Sequence, residues 1–316
     1  MTNGKRRLVQ VGTRTFPVSN LDKLLWPEDG ITKAELIRYY FAVAPYLLPH
    51  LRGRALTVVR YPDGIRGEGF YQKNLPPTAP EWLPRCEIPS EEAGTISYPV
   101  VEELAALVWL ANQAVLELHP SHHRCDRPDR PDWAVIDLDP AEGAGLDEVR
   151  EVAVLARRLL DDFGLHAYPK FSGATGVHLY LPLPRRYSYT EVSRAIGYLG
   201  RLLVQLNPRL VTTERLVRNR TGRVYVDHLQ NLANKTIVAV YSPRPRPGAP
   251  VSTPVTWEEL LSRRPEEFTI RTVPERLRRL GDLFAPVLRG PLNAAAVDRF
   301  FAAASAGKPG RGRKST

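Results

Sequence analysis

The sequence predicts an α+β protein whose mixed helices and strands pack as two lobes of one catalytic unit. Strand-like and helix-like stretches both recur along the 316 residues, but they do not alternate regularly as in a parallel sheet covered by helices. A composition of 43% hydrophobic and 25% charged residues is that of a globular chain. The length suits one large domain or two smaller ones, and no internal repeat is visible.

The first part of the chain is predicted to combine one well-marked helix with short strands. Residues 1–14 are expected to be flexible, and residues 16–30 contain the Asn, Asp, Pro and Gly residues typical of loops. Thr32 is placed to cap a helix over residues 33–48, and Glu35 completes the capping box. Strands are predicted at residues 55–61, 69–73 and 115–119, a helix at residues 101–114, and irregular structure at residues 74–94 and 120–131.

The second part of the chain is predicted to be organised around residues 133–140, an apolar and β-branched run that reads Trp-Ala-Val-Ile-Asp-Leu-Asp-Pro. An amphipathic helix is expected over residues 146–163, and Gly164 is a fitting stop signal. Further strands are predicted at residues 166–171, 177–183, 223–228 and 236–241, and further helices near residues 189–206, 257–261, 274–283 and 292–303. The expected domain organisation is a catalytic domain at residues 15–290, a helix at residues 291–305 and a disordered basic tail at residues 306–316.

The net charge of +10 indicates a polyanionic partner. The tail contributes four of these charges through Lys308, Arg311, Arg313 and Lys314, so that 10 − 4 leaves +6 for the rest of the chain. A basic body with a basic tail favours nucleic acid. A genomic bias towards arginine, proline and alanine is the competing explanation for the same composition.

The sequence is expected to belong to a cytoplasmic protein. No run approaches the ~18–20 apolar residues of a membrane span, and the basic N-terminus is not followed by the apolar segment of a secretory signal. Cys86 and Cys125 have no metal-binding spacing, which fits a reducing compartment. The cluster His122-His123-x-Cys125 lacks a fourth ligand at a suitable spacing for zinc.

Asp137 and Asp139 are the first candidates for chemistry. In a strand, positions i and i+2 point to the same face, roughly 6.5–7 Å apart at Cα. Two unpaired carboxylates there would repel each other and would be costly to desolvate. A hard divalent cation such as Mg²⁺ or Mn²⁺ would remove both problems. The alternative is an ordinary strand end, at which Asp-x-Asp-Pro merely begins a turn.

Residues 171–178, Phe-Ser-Gly-Ala-Thr-Gly-Val-His, form the second candidate. Two glycines in a tight connection between strands let the backbone approach a ligand and present amide N–H groups to an anion. Ser172 adds a hydroxyl, and His178 lies one residue inside the next strand. The alternative is a hairpin that happens to contain a histidine.

Asp227 ends another β-branched run and can complete a triad of carboxylates with the first pair. Basic residues lie near Asp227 in sequence, namely Arg218, Arg220 and Lys235, with Arg244 and Arg246 shortly after. A carboxylate triad with arginines suits phosphoryl transfer from a nucleoside triphosphate, in which two cations about 3.5–4 Å apart serve the attacking and the leaving oxygen. Arginines neutralise the charge that develops on the leaving phosphates.

The order Asp-x-Asp, then Ser-Gly-x-x-Gly-x-His, then a single Asp on a later strand, resembles that of the archaeo-eukaryotic primase–polymerase superfamily. Within it the chain is most similar to the polymerase domain of bacterial DNA ligase D and its stand-alone relatives, over about residues 15–290. The supporting motifs are Asp22-Lys23-x-Leu-Trp-Pro27, Gly30-Ile-Thr-Lys33, Leu48-Pro49-His50 with Arg52, Arg60-Tyr-Pro-Asp-Gly64, Phe70-Tyr71-Gln72-Lys73, Glu117-Leu-His119-Pro120 and Pro128-x-x-Pro131-Asp132.

The resemblance implies a primase–polymerase fold with the active site between its two lobes, and it implies roles for three groups of residues. The implied ligands of two divalent cations, Mn²⁺ or Mg²⁺, are Asp137, Asp139 and Asp227. The implied nucleotide contacts are Ser172, His178, Arg220, Gln230 and Arg244, with His119 near the sugar or the triphosphate. The implied DNA contacts are Asn20, Lys23 and Lys33 around a downstream 5′-phosphate, Phe70 and Tyr71 against the template, and Arg60.

The implied activity is template-dependent primer extension, gap filling and end processing in double-strand break repair by end joining. Ribonucleotides are often preferred in this family, and a separate DNA ligase and a Ku-like end-binding protein are the expected partners besides DNA and nucleotides. Two other functions remain open: a catalytically silent DNA-end-binding scaffold, and a metal-dependent nuclease or phosphoesterase. A nuclease would have less use for a nucleotide-binding turn.

One residue departs from the family pattern. Many relatives carry a lysine in the Ser-Gly-x-x-Gly-x-His turn, where this chain has Thr175. The triphosphate contact is then either lost or supplied by another base, such as Lys170. Phe70 and Tyr71 occupy adjacent strand positions that face opposite sides, so one of them is open to being a core residue instead.

Overall fold

The computed structural model describes residues 6–90 and 94–307. The strands are β1 (Arg7–Val11), β2 (Arg14–Val18), β3 (Leu24–Trp26), β4 (Ile31–Thr32), β5 (Leu56–Arg60), β6 (Phe70–Gln72), β7 (Arg85–Ser90), β8 (Gly94–Pro99), β9 (Val115–Pro120), β10 (Trp133–Pro140), β11 (Tyr168–Phe171), β12 (Val177–Pro182), β13 (Val211–Thr212) and β14 (Val224–Asp227). The α-helices are α1 (Lys33–Leu51), α2 (Leu104–Asn112), α3 (Leu146–Asp162), α4 (Tyr189–Leu206), α5 (Trp257–Ser262), α6 (Val273–Leu280) and α7 (Ala294–Ala306). Short 3₁₀ helices occur at Val217–Asn219, His228–Asn231, Pro265–Glu267 and Ala285–Arg289.

A five-stranded sheet carries the second part of the chain. Its strand order is β11-β12-β10-β14-β13, so that β10 lies at the centre. Only the β13–β14 pair is parallel, and the other neighbours run antiparallel. Helices α3 and α4 pack against β10. The central position explains why the apolar residues of β10 are almost completely buried.

A three-stranded antiparallel sheet, ordered β6-β5-β9, carries the first part. Three two-stranded antiparallel sheets are also present: β1–β2, β3–β4 and β7–β8. This mixture of helices and largely antiparallel sheets agrees with the α+β class that the sequence predicts, and a common hydrophobic core joins the two parts. Among the described residues, no helix is long and apolar enough to cross a membrane.

Helix α1 confirms its predicted start. The side chain of Thr32 accepts a hydrogen bond from the backbone N–H of Glu35, and the Glu35 carboxylate accepts one from the backbone of Thr32. The apolar stripe is buried, including Leu36, Val43 and Leu47 at 0% exposure. The helix continues past the predicted end to Leu51, because burial of this stripe outweighs the two prolines inside the helix.

Four segments differ from the sequence prediction. The β1–β2 hairpin and strand β3 occupy residues that were assigned to a flexible N-terminus and a loop, and strand β7 lies within a segment expected to be irregular. Residues 237–241 are almost completely buried but form none of the described strands, since they turn through Tyr241 at φ +60°. Short apolar runs do not separate strands from other buried segments by pattern alone. The tail prediction falls mostly on residues 308–316, outside the described residues.

Cys86 and Cys125 form a disulfide bond between β7 and the loop after β9. Their separation of 39 residues gave no sign of this pairing. The cysteines therefore no longer support the expectation of a reducing compartment.

Candidate active site

Four charged or polar side chains lie in one row across the central sheet. In the antiparallel register, Asp137 of β10 is opposite Asp227 of β14 on one side and opposite His178 of β12 on the other. The row continues to Lys170 of β11, which is opposite His178. Residues directly opposite each other in antiparallel strands share a face, so the sheet itself places these side chains together.

Asp139 extends the acidic group along β10. It lies two residues after Asp137 and therefore on the same face, opposite Tyr225. The Tyr225 hydroxyl donates to Asp227 Oδ1 at 3.2 Å, and the Arg220 guanidinium stacks on the Tyr225 ring at 3.5 Å. The predicted carboxylate triad is thus assembled on one face, with Arg220 beside it.

The three carboxylates, Asp137, Asp139 and Asp227, form an acidic row whose members repel one another. Burial raises the pKa of Asp137 well above its usual range, and the neighbouring Asp139 and Asp227 carboxylates raise it further. Burial and Asp227 also raise the pKa of Asp139. Burial, followed by Lys170 and Arg244, lowers the pKa of His178 well below its usual range, so that this ring is neutral. A cation bound to the carboxylates would relieve their repulsion.

The carboxylates fit hard divalent cations by donor type. Asp137 Oδ1 is buried and has no hydrogen-bond partner within the described residues; His178 Nε2 lies 3.3 Å away without hydrogen-bond geometry. An oxygen donor of this kind suits Mg²⁺ or Mn²⁺. As the side chains stand, however, no three His, Cys, Asp or Glu groups in residues 6–90 and 94–307 converge to hold a metal ion. The assignment of metal ligands therefore stays a prediction.

The Ser172–His178 turn approaches the acidic row closely. The Ser172 hydroxyl accepts hydrogen bonds from the backbone N–H groups of Ala174 and Gly176, which closes the turn. A Cβ atom at Gly176 would lie 2.7 Å from Asp139 Oδ1 and 2.8 Å from the carbonyl oxygen of Leu138. The second glycine of the motif is therefore required by contact with the acidic strand, and the turn leads directly to the carboxylates.

A cleft of about 240 Å³ lies over this row, between the two sheets. It brings together predicted residues that are far apart in sequence: Asp137, Asp139, Ser172, His178, His119, Gln230, Arg244 and Tyr71. The Gln230 amide donates to the carbonyl of Thr236 at 2.5 Å, which fixes it at the cleft wall. Asp227, and Arg220 beside it on the Tyr225 ring, do not line the cleft.

Lys170 and Thr175, the two residues considered for the triphosphate contact, have different surroundings. Lys170 is completely buried, and its ammonium group donates to the Val238 carbonyl at 2.9 Å and to the Ser252 hydroxyl at 2.5 Å. It is therefore not free to replace the lysine that relatives carry at position 175. Thr175 itself is exposed and lines the cleft.

Glu117, the first residue of the Glu-Leu-His-Pro motif, belongs to the site although no role was predicted for it. It is 4% exposed, and its Oε2 lies 3.0 Å from His119 Nε2. Its Oε1 lies 2.7 Å from Arg244 Nε, as an ion pair without hydrogen-bond geometry. The i, i+2 spacing of Glu117 and His119 in a predicted strand placed them on one face, and that signal could have identified the pair.

The predicted DNA contacts form a separate basic group near α1. The backbone N–H of Lys33 donates to the Lys23 carbonyl, and Asn20, at φ +54°, forms the preceding turn. Lys33 is buried and donates to the Ser19 and Asn112 carbonyls, both at 2.9 Å. Burial, with Lys23 and Arg60 nearby, lowers its pKa to about 8. Lys23 pairs with the exposed carboxylate of Asp63 at 3.0 Å.

Phe70 and Tyr71 are both exposed, at 45% and 68%, so neither is a core residue. They face opposite sides of β6. Tyr71 lines the cleft and contacts the His119 ring edge-on at 5.8 Å, whereas Phe70 lies beside the Arg60 guanidinium at 5.4 Å. Exposed aromatic faces next to basic groups are the arrangement that binds unpaired bases.

The site has the arrangement expected of a primase–polymerase: carboxylates beneath a cleft, with a glycine turn and a basic group beside them. Residues 32–284 match the family described as "LigD, primase-polymerase domain". The chain belongs to this family.

Individual relatives agree with this assignment. The chain is 38% identical over 272 residues to the multifunctional non-homologous end joining protein LigD of Mycolicibacterium smegmatis, which covers 85% of this chain and 36% of the relative. It is 38% identical over 275 residues to the bifunctional non-homologous end joining protein LigD of Bacillus subtilis, covering 86% and 44%. The chain thus spans less than half the length of these relatives.

Among solved structures, the chain is similar to the polymerase domain from Mycobacterium tuberculosis ligase D in complex with DNA. The TM-score is 0.81 and the sequence identity is 35%, over 86% of this chain and 97% of the other. The similarity extends over nearly the whole of that polymerase domain.

Proposed function

We propose that the chain is a template-directed nucleotidyltransferase that extends a primer 3′-OH in the repair of DNA breaks by end joining. The observation that carries the proposal is that Asp137 and His178 line a cleft between two sheets, with Asp227 directly opposite Asp137 in the central sheet. Membership of the LigD primase-polymerase family supports the reaction class. The catalytic unit corresponds to residues 15–290.

In this proposal, Asp137, Asp139 and Asp227 hold two divalent cations, Mn²⁺ or Mg²⁺. Such cations supply activation of the attacking 3′-oxygen and stabilisation of the pyrophosphate leaving group. The chain's own contribution is to hold these carboxylates close together, at the electrostatic cost described above, and bound cations would stabilise their ionised forms. Neutral His178 beside Asp137 can donate a hydrogen bond to a phosphate without adding a charge.

Nucleotide binding is assigned to the cleft walls. The Ser172 hydroxyl, held at the closed turn, and the Arg244 guanidinium, which lies 3.4 Å from the Ser172 carbonyl, face the same space. His119, Gln230 and Arg220 complete the predicted contacts. We expect ribonucleotides to be accepted at least as well as deoxyribonucleotides.

DNA binding is assigned to the basic group and the exposed aromatic residues. A 5′-phosphate on the downstream strand would pair with Lys23 and Lys33 beside Asn20, and it would displace Asp63, whose side chain is 82% exposed. Phe70 and Tyr71 would stack against template bases, with Arg60 nearby. A DNA ligase and a Ku-like end-binding protein are the proposed partners, and the cytoplasm is the proposed location.

The test is primer extension on a short gapped DNA with Mn²⁺, with and without a 5′-phosphate at the far side of the gap. Template-directed addition that weakens without the phosphate is expected. Lys23→Ala should remove the phosphate dependence, whereas Asp63→Ala, which frees Lys23 from its ion pair, should keep it. DNA binding without any nucleotide addition would support the scaffold instead, and release of nucleotides would support a nuclease.

Thr175→Lys is expected to strengthen nucleotide binding, because it puts a cation at the exposed tip of the turn over the cleft. We expect the KM for the nucleoside triphosphate to fall about twofold to tenfold, with a stronger dependence on salt. Steady-state incorporation kinetics measure this change. Thr175→Gln is the uncharged control, and an equal fall in KM for both variants would contradict an electrostatic effect.

A further inference from the structure

Glu117 lies behind the cleft wall and does not line the cleft itself, but it contacts two residues that do. His119 and Arg244 approach its two carboxylate oxygens separately, at 3.0 and 2.7 Å. Burial on its own would raise the pKa of Glu117, but His119 and Arg244 lower it below the ordinary value, so the carboxylate is ionised. A single buried charge therefore connects both residues.

This contact determines which nitrogen of His119 carries the proton. Burial lowers the pKa of His119, so the ring is neutral and has only one N–H. A carboxylate accepts hydrogen bonds and cannot donate them, so Nε2 must be the protonated nitrogen. Nδ1 then has a lone pair and is the only ring nitrogen left to contact a ligand in the cleft.

The lone pair on Nδ1 restricts what His119 can bind. It can accept a hydrogen bond from a hydroxyl group, but it cannot donate one to the phosphate oxygens of a triphosphate at neutral pH. Arg244, by contrast, has only donors and suits phosphate. The sugar and the phosphates of one nucleotide are therefore matched to two different side chains, both oriented by Glu117.

We propose that Glu117 is a positioning residue that fixes the Nε2–H tautomer of His119, so that Nδ1 accepts a hydrogen bond from a sugar hydroxyl of the incoming nucleotide while Arg244 is held for its phosphates. The proposal rests on the proposed nucleotidyltransferase function. The family resemblance left open whether His119 contacts the sugar or the triphosphate, and the proposal assigns it to the sugar. It also makes Glu117 a determinant of sugar selectivity.

The first experiment measures single-nucleotide incorporation of ATP, 2′-deoxy-ATP and 3′-deoxy-ATP by the wild type and by Glu117→Gln. We expect the wild type to discriminate against the analogue that lacks the hydroxyl read by His119. Glu117→Gln should reduce that discrimination about 10- to 100-fold, because the tautomer is no longer fixed by a carboxylate. An unchanged ratio for both analogues in Glu117→Gln would overturn the proposal.

A matched control separates positioning from general loss of structure. Asp282 is a partly buried carboxylate, with a side chain that is 12% exposed, and it accepts from His50 Nε2 at 2.8 Å and from the Tyr241 hydroxyl at 2.6 Å. Asp282→Asn should lower the melting temperature but leave the ratio of ribonucleotide to deoxynucleotide incorporation unchanged. If Asp282→Asn changed this ratio as much as Glu117→Gln does, the ratio would report stability and the proposal would fail.

The second experiment reads the tautomer directly and does not need activity. Two-bond ¹⁵N–¹H correlation spectra of the seven histidines, with His119 assigned through His119→Gln, should show a neutral ring protonated at Nε2 in the wild type. In Glu117→Gln the signal should shift towards a mixture of both tautomers. Protonation at Nδ1 in the wild type would overturn the proposal even if primer extension succeeds. Failure of primer extension alone would count against the proposed function and leave the tautomer readable.

Discussion

Asp137→Asn is expected to abolish primer extension without destabilising the metal-free protein. The substitution removes a charge from the middle of the acidic row, where Asp139 and Asp227 oppose its ionisation. Loss of one metal-binding carboxylate should lower the incorporation rate by about 10³-fold or more. Single-turnover incorporation measures the rate, and thermal denaturation measures the stability.

Metal and pH provide the controls for this prediction. Mn²⁺ should raise the melting temperature of the wild type through binding to the folded state, and should have little effect on Asp137→Asn. Because the pKa values of Asp137 and Asp139 are raised in the folded state, metal-free wild type should lose stability as the pH rises from the ordinary carboxyl range through those raised values. The variant should lose less. Strong destabilisation of metal-free Asp137→Asn would contradict the inference that the three carboxylates repel one another.

Asp132→Ala is expected to be among the most destabilising single substitutions. Asp132 pairs in a bidentate manner with Arg54, at 2.8 and 2.7 Å, and the Arg54 side chain is completely buried over the Trp133 ring. Removal of the Asp132 carboxylate leaves the buried Arg54 cation without its partner, at a cost of about 3–5 kcal/mol. Urea denaturation measures this loss in the free energy of unfolding.

The matched control is Asp126→Ala in the same loop. Asp126 also forms two hydrogen bonds with an arginine, Arg185, but its side chain is 62% exposed. An exposed pair of this kind contributes about 0–1 kcal/mol. Equal losses for the two variants would show that burial of Arg54 does not set the effect.

The grouping of the acidic residues and the closeness of the glycine turn to them could be predicted, because each lies at a recognisable point of a local pattern. The i, i+2 spacing alone places Asp137 and Asp139 on one strand face. The glycines of the turn indicate that the backbone there can approach a ligand or another strand closely. The register that places Asp227 opposite Asp137 is a long-range property, and the sequence indicated only that both β-branched runs contain aspartates near their ends. The class of fold followed from the same mixture of strands and helices.

The rest depends on contacts between segments that no local pattern encodes. Lys170 looked like a free base in sequence, yet the Val238 carbonyl and the Ser252 hydroxyl bind its ammonium group inside the core. Glu117 pairs with Arg244, which lies 127 positions later in the sequence (244 − 117). The disulfide between Cys86 and Cys125 is likewise a result of tertiary packing.

The register of the central sheet links catalysis to folding. If β10 slipped by one residue against its two neighbours, Ile136 and Leu138 would replace Asp137 and Asp139 on the cleft side, and the carboxylates would enter the apolar interior. Burial of the apolar residues of β10 therefore fixes the register that places the acidic residues on the cleft side. If the carboxylates bind Mn²⁺ as proposed, Mn²⁺ binding during refolding would report when β10 reaches its native register.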